Sequence, residues 1–533
     1  MKNFPLIPTL VALTMAASPL PAEQGFLVQE DEVIHATNPS YYAMFGYAMD
    51  VDGEVAFVGS KLKGGYVLRL DSEGVWQQEA WVKAPLDHAS MEVGEDVAIS
   101  GSWAFIGDAE APPADGIPGG KVYVYQEVRE GTWMLRGSLS SPFAQLRGEF
   151  GAALAVEGDR LVVGAPGESG EMAATGAVYV FQLAGGSWEL EQRLVLAGSE
   201  PGDRFGDSVA VDGDRLVAGA TGRAVASGGT GVAAVFDKVG SSWEGSGVLE
   251  SGVLTAELFG YSVDVRDSRV VVGAHGTNQS QGSVHVFEGL GGWHEVGSLV
   301  HPNPQTNDMF GWDVVLGDDW VAIGAPGDRY GQGAGFGTAW IAGPGHQGWQ
   351  IERRVVPSQT QVQSFGRQVG LHGRQLLVGA PIWTGEDTAE GVVYASTIFP
   401  SSPETFCIST PSTTGHEANL WTTGGISEAT DDLVLWVGPV PEQPGFFIYG
   451  NEAVHLPFGS GIRCVGGSVT LRLPASVAWG GILRQPMDLS SLNSPSAEYL
   501  SGSTWYVQAV FRDPADGHSG FNLSSAIALD LVN

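Results

Sequence analysis

One phrase recurs seven times along the chain, and it constrains the fold more than any other feature. Its clearest copy, FGDSVAVDGDRLVAGA, occupies residues 205–220, and a degenerate copy, VGEDVAISGSWAFIGD, has lost the phenylalanine. Successive copies begin 48 to 57 residues apart, at Phe45, Val93, Phe150, Phe205, Phe259, Phe310 and Phe365. A regular period in this range indicates a solenoid or a propeller.

Each copy predicts a strand, a tight turn and a second strand. Residues 208–211 alternate as a pleated strand does, and Asp212-Gly213-Asp214 is a hairpin turn in which glycine accepts a positive φ. Residues 215–220 then run apolar and end in Gly-Ala, as in the GAP of other copies. The small residues of this second strand predict a place near the crowded centre of a ring.

A third and a fourth strand complete each unit. Third strands read VYVY at 122–125, VYVF at 178–181 and VHVF at 284–287. Fourth strands usually open with tryptophan, at Trp133, Trp188, Trp243, Trp293 and Trp349. Their regular position favours packing between units over a platform for sugars. Four strands in about fifty residues are typical of a propeller blade.

The strand count predicts how the ring closes. Seven sets of first, second and third strands are present, but the pattern stops after residues 392–398 without a seventh fourth strand. A spare strand-like segment, residues 26–36, precedes the first copy. We therefore expect residues 26–36 to pair with the last copy, 365–398, because closure removes exposed strand edges. The prediction is an all-β chain with a seven-bladed β-propeller closed by its N-terminal strand.

Over about residues 26–398, these phrases resemble the FG-GAP repeats of the integrin α-subunit propeller and its bacterial relatives. The resemblance rests on FG at the start of each copy, GAP after the second strand and the sevenfold count. It implies a propeller, and it also implies calcium, because many such repeats carry an acidic D-x-D-x-D-G loop after GAP.

The calcium cage itself is missing from this sequence. A hard cation needs several oxygen ligands from one short loop, whereas the loops here read GESGEMAATG (167–176), TGRAVASGGTG (221–231), GTNQSQG (276–282) and GDRYGQGAG (327–335). Asp108, Glu110 and Asp115 come nearest, but Pro112 and Pro113 interrupt them. The acids of residues 50–53 belong to a hairpin turn. We therefore predict no cofactor, with calcium as the alternative that the resemblance leaves open.

Composition and the N-terminus predict an exported protein. The chain has 533 residues, with 26 Lys and Arg against 60 Asp and Glu, a formal net charge of −34. Such a surface repels phosphate backbones, so no nucleic-acid partner is expected. Lys2 followed by the mostly apolar residues 4–17 is typical of a secretory signal, assigned to residues 1–22, and no stretch predicts a membrane span. We expect a secreted or cell-surface protein, most simply a monomer.

A second, smaller domain follows the repeats. Residues 23–399 are assigned to the propeller, 400–404 to a linker and 405–533 to a C-terminal β-sandwich, because short alternating runs recur between Gly- and Pro-rich turns there. Its role is predicted as accessory binding or surface attachment. The chain's two cysteines, Cys407 and Cys464, both lie in this domain. In an exported chain they predict one disulfide, and a two-thiol metal site is the weaker alternative.

No local motif indicates catalysis. The sequence contains no G-x-S-x-G, H-E-x-x-H or Walker loop, and His518-Ser519 lies in what reads as a turn. His275 and His285 could meet near the ring axis, but two histidines alone favour packing over a metal site. Glu168, Glu171 and Asp328 fall in loops on one predicted face, where a carboxylate pair could serve glycoside chemistry, although chance grouping is expected in so acidic a chain.

The function predicted from the sequence is non-catalytic binding or adhesion. Loops on one propeller face would hold an extracellular protein or a polysaccharide. One alternative is a hydrolase or lyase that degrades an extracellular polymer at the propeller axis. Another is a structural component of the cell envelope. A compact cluster of His, Asp, Glu and Tyr at the axis would favour the enzyme.

Overall fold

The structure is a computed structural model with an all-β fold. It describes residues 26–37, 43–61, 63–71, 74–85, 93–112, 119–143, 145–169, 174–225, 228–252, 257–289, 292–318, 320–329, 337–345, 348–359, 362–383, 390–400, 405–407, 418–423, 434–458, 461–479, 482–486, 504–513 and 521–530. The predicted signal and Glu171, Asp115 and His518 lie outside these residues, as do residues 401–404 of the predicted linker and parts of the post-GAP loops. Pro400 of that linker is described, at the end of a strand.

The strands begin with β1 (Phe26–His35) and then form antiparallel sheets of four. Sheet 1 contains β2 (Met49–Asp52), β3 (Val55–Ser60), β4 (Gly64–Leu70) and β5 (Trp76–Lys83). Sheet 2 contains β6 (Val97–Ser100), β7 (Trp103–Asp108), β8 (Lys121–Arg129) and β9 (Thr132–Leu139). Sheet 3 contains β10 (Ala153–Glu157), β11 (Arg160–Ala165), β12 (Ala177–Ala184) and β13 (Ser187–Leu194).

The next three sheets repeat the order. Sheet 4 contains β14 (Phe205–Asp212), β15 (Arg215–Ala224), β16 (Thr230–Val239) and β17 (Ser242–Leu249). Sheet 5 contains β18 (Ser262–Arg266), β19 (Arg269–Ala274), β20 (Ser283–Glu288) and β21 (His294–Val300), with the helical turn α1 (Thr277–Ser280) before β20. Sheet 6 contains β22 (Val314–Leu316), β23 (Val321–Ala325), β24 (Thr338–Gly345) and β25 (Gly348–Val355).

Sheet 7 combines the two ends of the repeat region. Its chain-order strands are β27 (Gln368–His372), β28 (Gln375–Ala380) and β30 (Val392–Pro400), while β26 (Val362–Gln363) and β29 (Ile382–Trp383) form a separate pair. The fourth strand is β1, which runs antiparallel to β30 from Phe26 opposite Pro400 to His35 opposite Val392. This is the pairing that the spare N-terminal segment predicts.

The first strand of every sheet lies beside the first strands of its neighbours. The contacts run in chain order through β2, β6, β10, β14, β18, β22 and β27, and β27 also contacts β2. The buried apolar side chains of these sheets likewise fall into clusters between consecutive sheets. A further cluster joins sheet 7 to sheet 1 and includes Ile34 of β1. Each sheet is therefore stabilised mainly by apolar burial against the next.

The glycines of FG and GAP are explained by this contact between sheets. A β-carbon on the GAP-type glycine of one sheet would collide with the carbonyl oxygen of the FG-type glycine in the next. The pairs are Gly59 and Gly94, Gly107 and Gly151, Gly164 and Gly206, Gly219 and Gly260, Gly273 and Gly311, Gly324 and Gly366, and Gly379 and Gly46. Glycine is required because the backbones approach too closely for any side chain.

This contact refines the predicted position of the second strands. The first strands line the central channel, and the second strands lie directly behind them in each sheet. The small residues of the second strand serve the close approach of the neighbouring sheet. They do not face the axis.

Aromatic residues fill the space between sheets, as the regular tryptophan position predicts. Trp188 packs edge-on against Phe105 and Trp103 of the preceding sheet, with ring centroids 5.2 and 5.8 Å apart. Other fourth-strand tryptophans lie under an arginine of the preceding sheet, a cation–π contact. These are Trp243 with Arg160 at 4.9 Å, Trp293 with Arg215 at 5.0 Å and Trp349 with Arg269 at 5.1 Å.

The C-terminal region forms two antiparallel sheets with a shared core. One contains β31 (Thr405–Cys407), β34 (Pro444–Phe458), β35 (Gly461–Arg472), β38 (Thr504–Arg512) and β39 (Phe521–Asp530), with β36 (Ser476–Val477) paired to β34. The other contains β32 (Asn419–Thr423), β33 (Val434–Gly438) and β37 (Leu483–Pro486). Leu435, Phe447 and Val507 are fully buried between them. Cys464 is buried in β35, and its predicted disulfide with Cys407 stays a prediction.

Candidate functional site

A channel of about 920 Å³ runs between the first strands of all seven sheets. This volume lies in the range of small-molecule sites. Its lining is mostly polar, which is unusual for the centre of a fold. Two layers of side chains can be distinguished, an inner layer of aspartates and a layer at one end that we call the channel mouth.

The inner layer consists of Asp50, Asp96, Asp264 and Asp313. Each carboxylate accepts a backbone N–H from the first strand of the following sheet: Asp50 from Ile99 at 2.7 Å, Asp96 from Leu154 at 2.7 Å, Asp264 from Leu316 at 2.7 Å and Asp313 from Val369 at 2.8 Å. The first strand has no further strand beyond it, so its N–H groups need side-chain acceptors. These aspartates therefore link one sheet to the next.

Burial raises the pKa of these carboxyl groups, because the charged form is desolvated in the channel. The pKa values rise to about 6 for Asp50 and Asp313, about 7 for Asp264 and about 8 for Asp96. At Asp96, backbone hydrogen bonds to the carboxylate lower the pKa, whereas the nearby charges of Asp50 and Asp313 raise it further.

The sign of these shifts predicts how stability depends on pH. The folded chain retains protons between about pH 4 and 8 that the unfolded chain releases, so this contribution to stability falls as pH rises through that window. In Asp96→Asn one such ionisation is removed. We expect the free energy of unfolding of Asp96→Asn, relative to the parent chain, to rise between pH 5 and pH 8 by at least about 1.4 kcal/mol, one pKa unit. Urea titrations at both pH values measure it.

Asp159 provides the control for this comparison. It is exposed in the turn between β10 and β11, away from the channel lining, so the stability of Asp159→Asn should run parallel to that of the parent chain. Equal pH dependence of Asp96→Asn and the parent chain would show that Asp96 is not protonated in the fold.

The channel mouth is formed by the residue two positions after each FG-type phenylalanine. In chain order these are Tyr47, Glu95, Ala152, Asp207, Tyr261, Trp312 and Arg367, and all seven line the channel. The flanking FG and the second strand are nearly constant among copies, whereas this position carries six residue types. Variation is therefore concentrated where side chains from all seven sheets converge.

The position after the GA of the second strand adds two residues to the mouth in copies that lack the proline. His275 and Thr221 stand there in sheets 5 and 4, and both line the channel. Thr221 donates a hydrogen bond to Asp207, whose other partner is Arg204. Lys61, at the same position in sheet 1, pairs with Glu95. The two acidic side chains of the channel mouth, Glu95 and Asp207, are thus each paired with a basic side chain.

An aromatic and cationic group occupies the other side of the mouth. Arg367 lies over the ring of Tyr47 at 3.8 Å and near that of Trp312 at 5.1 Å. His275 packs against Tyr261 and Trp312, with ring centroids 4.1 and 4.7 Å apart. Within the described part of the chain, the buried His275 Nδ1 and Arg367 Nε have no hydrogen-bond partner. Each of these atoms therefore lacks the hydrogen bond that would offset its burial.

Burial also sets the protonation of this group. It lowers the pKa of His275 to about 4 and raises that of Tyr261 to about 12. At neutral pH the imidazole is therefore uncharged and the phenol protonated. The mouth can offer neutral donors and acceptors together with the arginine.

The structure separates the other residues that the sequence singles out. His285 is fully buried away from the mouth, bonded to Glu295 at 2.7 Å and Ser283 at 3.0 Å. It shares no partner with His275. Glu168 is held by Arg193 at 2.6 Å, whereas Asp328 bonds to His301 at 3.1 Å. The two acids therefore belong to separate clusters and do not form a catalytic pair.

Sequence reasoning missed most of the channel mouth. Of its residues only His275 was considered, because it replaces the proline of GAP. Tyr47, Trp312 and Arg367 could have been found by aligning the copies and asking which position varies next to the constant FG.

Comparison with known families agrees with the repeat phrase. Residues 144–181, 188–236, 249–287 and 293–341 match the family model of the FG-GAP repeat. No curated protein matches the chain. Among the residues that the structure describes, no helix has the length and apolar character needed to cross a bilayer. The chain therefore contains FG-GAP repeats, recognised in four places across residues 144–341.

Proposed function

We propose that the chain is an extracellular binding protein whose seven sheets are the blades of a closed β-propeller, residues 23–399, followed by a β-sandwich, residues 405–533. The channel mouth binds the ligand, and the N-terminal strand completes the last blade. The cyclic order of contacts among the first strands supports the ring. FG-GAP repeats, which are typical of extracellular proteins, and the apolar segment at residues 4–17 support export.

The ligand proposed for the channel mouth is a neutral saccharide, presented by an extracellular polysaccharide. Tyr47, Tyr261 and Trp312 offer aromatic surface for the apolar face of a sugar ring. Arg367 Nε and His275 Nδ1 are buried without a hydrogen-bond partner among the described residues, and a small side-chain movement on binding would bring them to the sugar hydroxyl groups. Charge favours a neutral ligand, because the chain carries a net −34 and would repel an acidic polymer. The observation that carries the proposal is the convergence of these residues from two positions that vary among the copies, the one after FG and the one after GA.

The test is saccharide binding by the tag-free chain and two mouth variants. A glycan array identifies a neutral ligand, and calorimetry then measures its affinity. Trp312→Ala and Arg367→Ala should each weaken binding by about 2 kcal/mol, or about 30-fold, as truncation of central aromatic and arginine contacts does. Unchanged thermal midpoints establish that both variants remain folded.

Trp479 supplies the control, because it is 89% exposed on the C-terminal region. Trp479→Ala should bind like the parent chain. Loss of binding in Trp479→Ala, with full binding in Trp312→Ala, would assign recognition to the C-terminal domain. Binding of proteins but of no glycan would replace the saccharide with a protein ligand.

Catalysis on the same polymer is the second candidate, and one observation favours it. His275 is neutral, has an unpartnered Nδ1 and packs against the protonated Tyr261, which together could supply a general base and a general acid. A polymer that binds and is cleaved by the parent chain, but is bound and not cleaved by His275→Ala, would make the chain an enzyme. Binding without cleavage supports the binding function.

A further inference from the structure

Three buried ionisable side chains meet where sheet 5 passes into sheet 6. His301 follows β21, Asp308 lies two residues before the FG phenylalanine Phe310, and Asp328 follows the GAP of β23. Their exposed fractions are 5%, 1% and 5%. One ring nitrogen and one oxygen from each carboxylate all lie within 4.8 Å of one another. This cluster is separate from the channel mouth.

The same position in an earlier copy shows what is unusual here. Asp203 precedes Phe205 as Asp308 precedes Phe310, and Arg223, near the end of β15, stands in the place of Asp328. There the buried carboxylate is neutralised, with Arg223 2.7 Å from Asp203. In the later copy an acid replaces that arginine. The later copy therefore has two buried carboxylates where the earlier copy has a carboxylate paired with a guanidinium.

Another earlier copy allows the same comparison at the position of Asp328. Glu168 occupies the place of Asp328 and is held by Arg193 at 2.6 Å. The arginine equivalent to Arg193 is Arg354, which lies over the Trp340 ring at 5.7 Å and whose charge also lowers the pKa of Asp328. Two carboxylates buried beside one histidine are a costly arrangement, and a bound cation would lower that cost.

One oxygen of this cluster also lacks a hydrogen-bond partner. Asp308 Oδ2 accepts the Gln305 N–H at 2.5 Å, but Asp308 Oδ1 is buried with no partner in the part of the chain that is described. Asp328 Oδ2, by contrast, accepts from Thr338 Oγ1 at 2.8 Å as well as from His301. An unpartnered buried carboxylate oxygen is costly unless it binds a cation or a proton.

We propose that His301, Asp308 and Asp328 bind a divalent transition-metal ion of the zinc class. Imidazole and carboxylate together suit zinc, whereas calcium prefers oxygen ligands alone. Ligand atoms around tetrahedral zinc lie about 3.3 Å apart for bonds of about 2.0 Å, so the side chains need move only slightly. The ion replaces the arginine of the earlier copies as the positive partner and ties the sheet 5–6 loop to sheet 6.

The experiment uses the full mature chain without a tag, stripped with chelator and then given zinc chloride alone. We expect one tightly bound equivalent by elemental analysis and a thermal midpoint raised by several degrees, because the metal binds the folded state. Asp308→Asn should lower the zinc affinity at least about tenfold. Asp328→Arg should abolish binding while remaining folded, since it restores the charge arrangement of Asp203 and Arg223.

The matched control is Asp203→Asn. It removes the equivalent acid in the earlier copy and should leave zinc stoichiometry unchanged, although the chain is destabilised. Absence of a zinc-dependent midpoint shift in the parent chain would overturn the proposal. The same stoichiometry and shift in Asp308→Asn as in the parent chain would also overturn it, because the metal would then bind elsewhere.

Discussion

Replacing Gly219 of β15 by alanine is expected to lower the free energy of unfolding by about 3 kcal/mol. A β-carbon there would collide with the carbonyl oxygen of Gly260 in the next sheet and lie 2.5 Å from Ser208 Oγ. Both obstacles are held by neighbouring strands, so the two sheets must separate to make room. Urea unfolding of the variant and the parent chain measures the loss.

Gly245 of β17 is the matched control, in the same sheet and also without a positive φ. A β-carbon on Gly245 would meet only a ring atom of Phe236 at 3.8 Å. Gly245→Ala should therefore be neutral or slightly stabilising, since alanine restricts the unfolded chain more than glycine. Equal losses in the two variants would mean that the contact between sheets does not explain the glycine of GAP.

This steric rule explains why so much of the fold can be predicted from the sequence. The FG and GAP glycines recur because every sheet meets its neighbour in the same way, so every copy of the phrase must meet the same steric requirement for glycine. The hairpin at Asp212-Gly213 and the alternation of residues 208–211 are local signals, and β14 and β15 form where they indicate. The position of residues 26–36 followed from counting strands, which needs no knowledge of side-chain contacts.

The candidate site could not be predicted in the same way. Tyr47, Trp312 and Arg367 are all more than fifty residues apart in the sequence, and only the contacts between the first strands of neighbouring sheets bring them together. A repeat shows which positions are constant, whereas the site consists of positions that vary. Deviation from the phrase was the available signal, and it identified His275 because a proline was expected there.

The buried clusters show a further limit. His301, Asp308 and Asp328 come from the end of one copy and two parts of the next, so no short motif joins them. Glu168 and Asp328 looked alike as loop acids in the sequence. Their partners, Arg193 and His301, differ because each fourth strand and following loop has its own residues.

Replacing Ile34 of β1 by aspartate is expected to have the largest effect on stability, about 4 kcal/mol or more. Ile34 is only 5% exposed and packs in the cluster between sheets 7 and 1, while the backbone of β1 pairs with β30. The substitution leaves a cavity and buries an unpaired charge, two of the costliest changes in a protein core.

The neighbouring His35 points to the other face and is exposed, so His35→Asp should be far milder because strand side chains alternate. Thermal and urea unfolding compare the two variants. If Ile34→Asp is as stable as His35→Asp, β1 does not hold sheets 7 and 1 together, and their association depends on the Gly379–Gly46 contact and its neighbours.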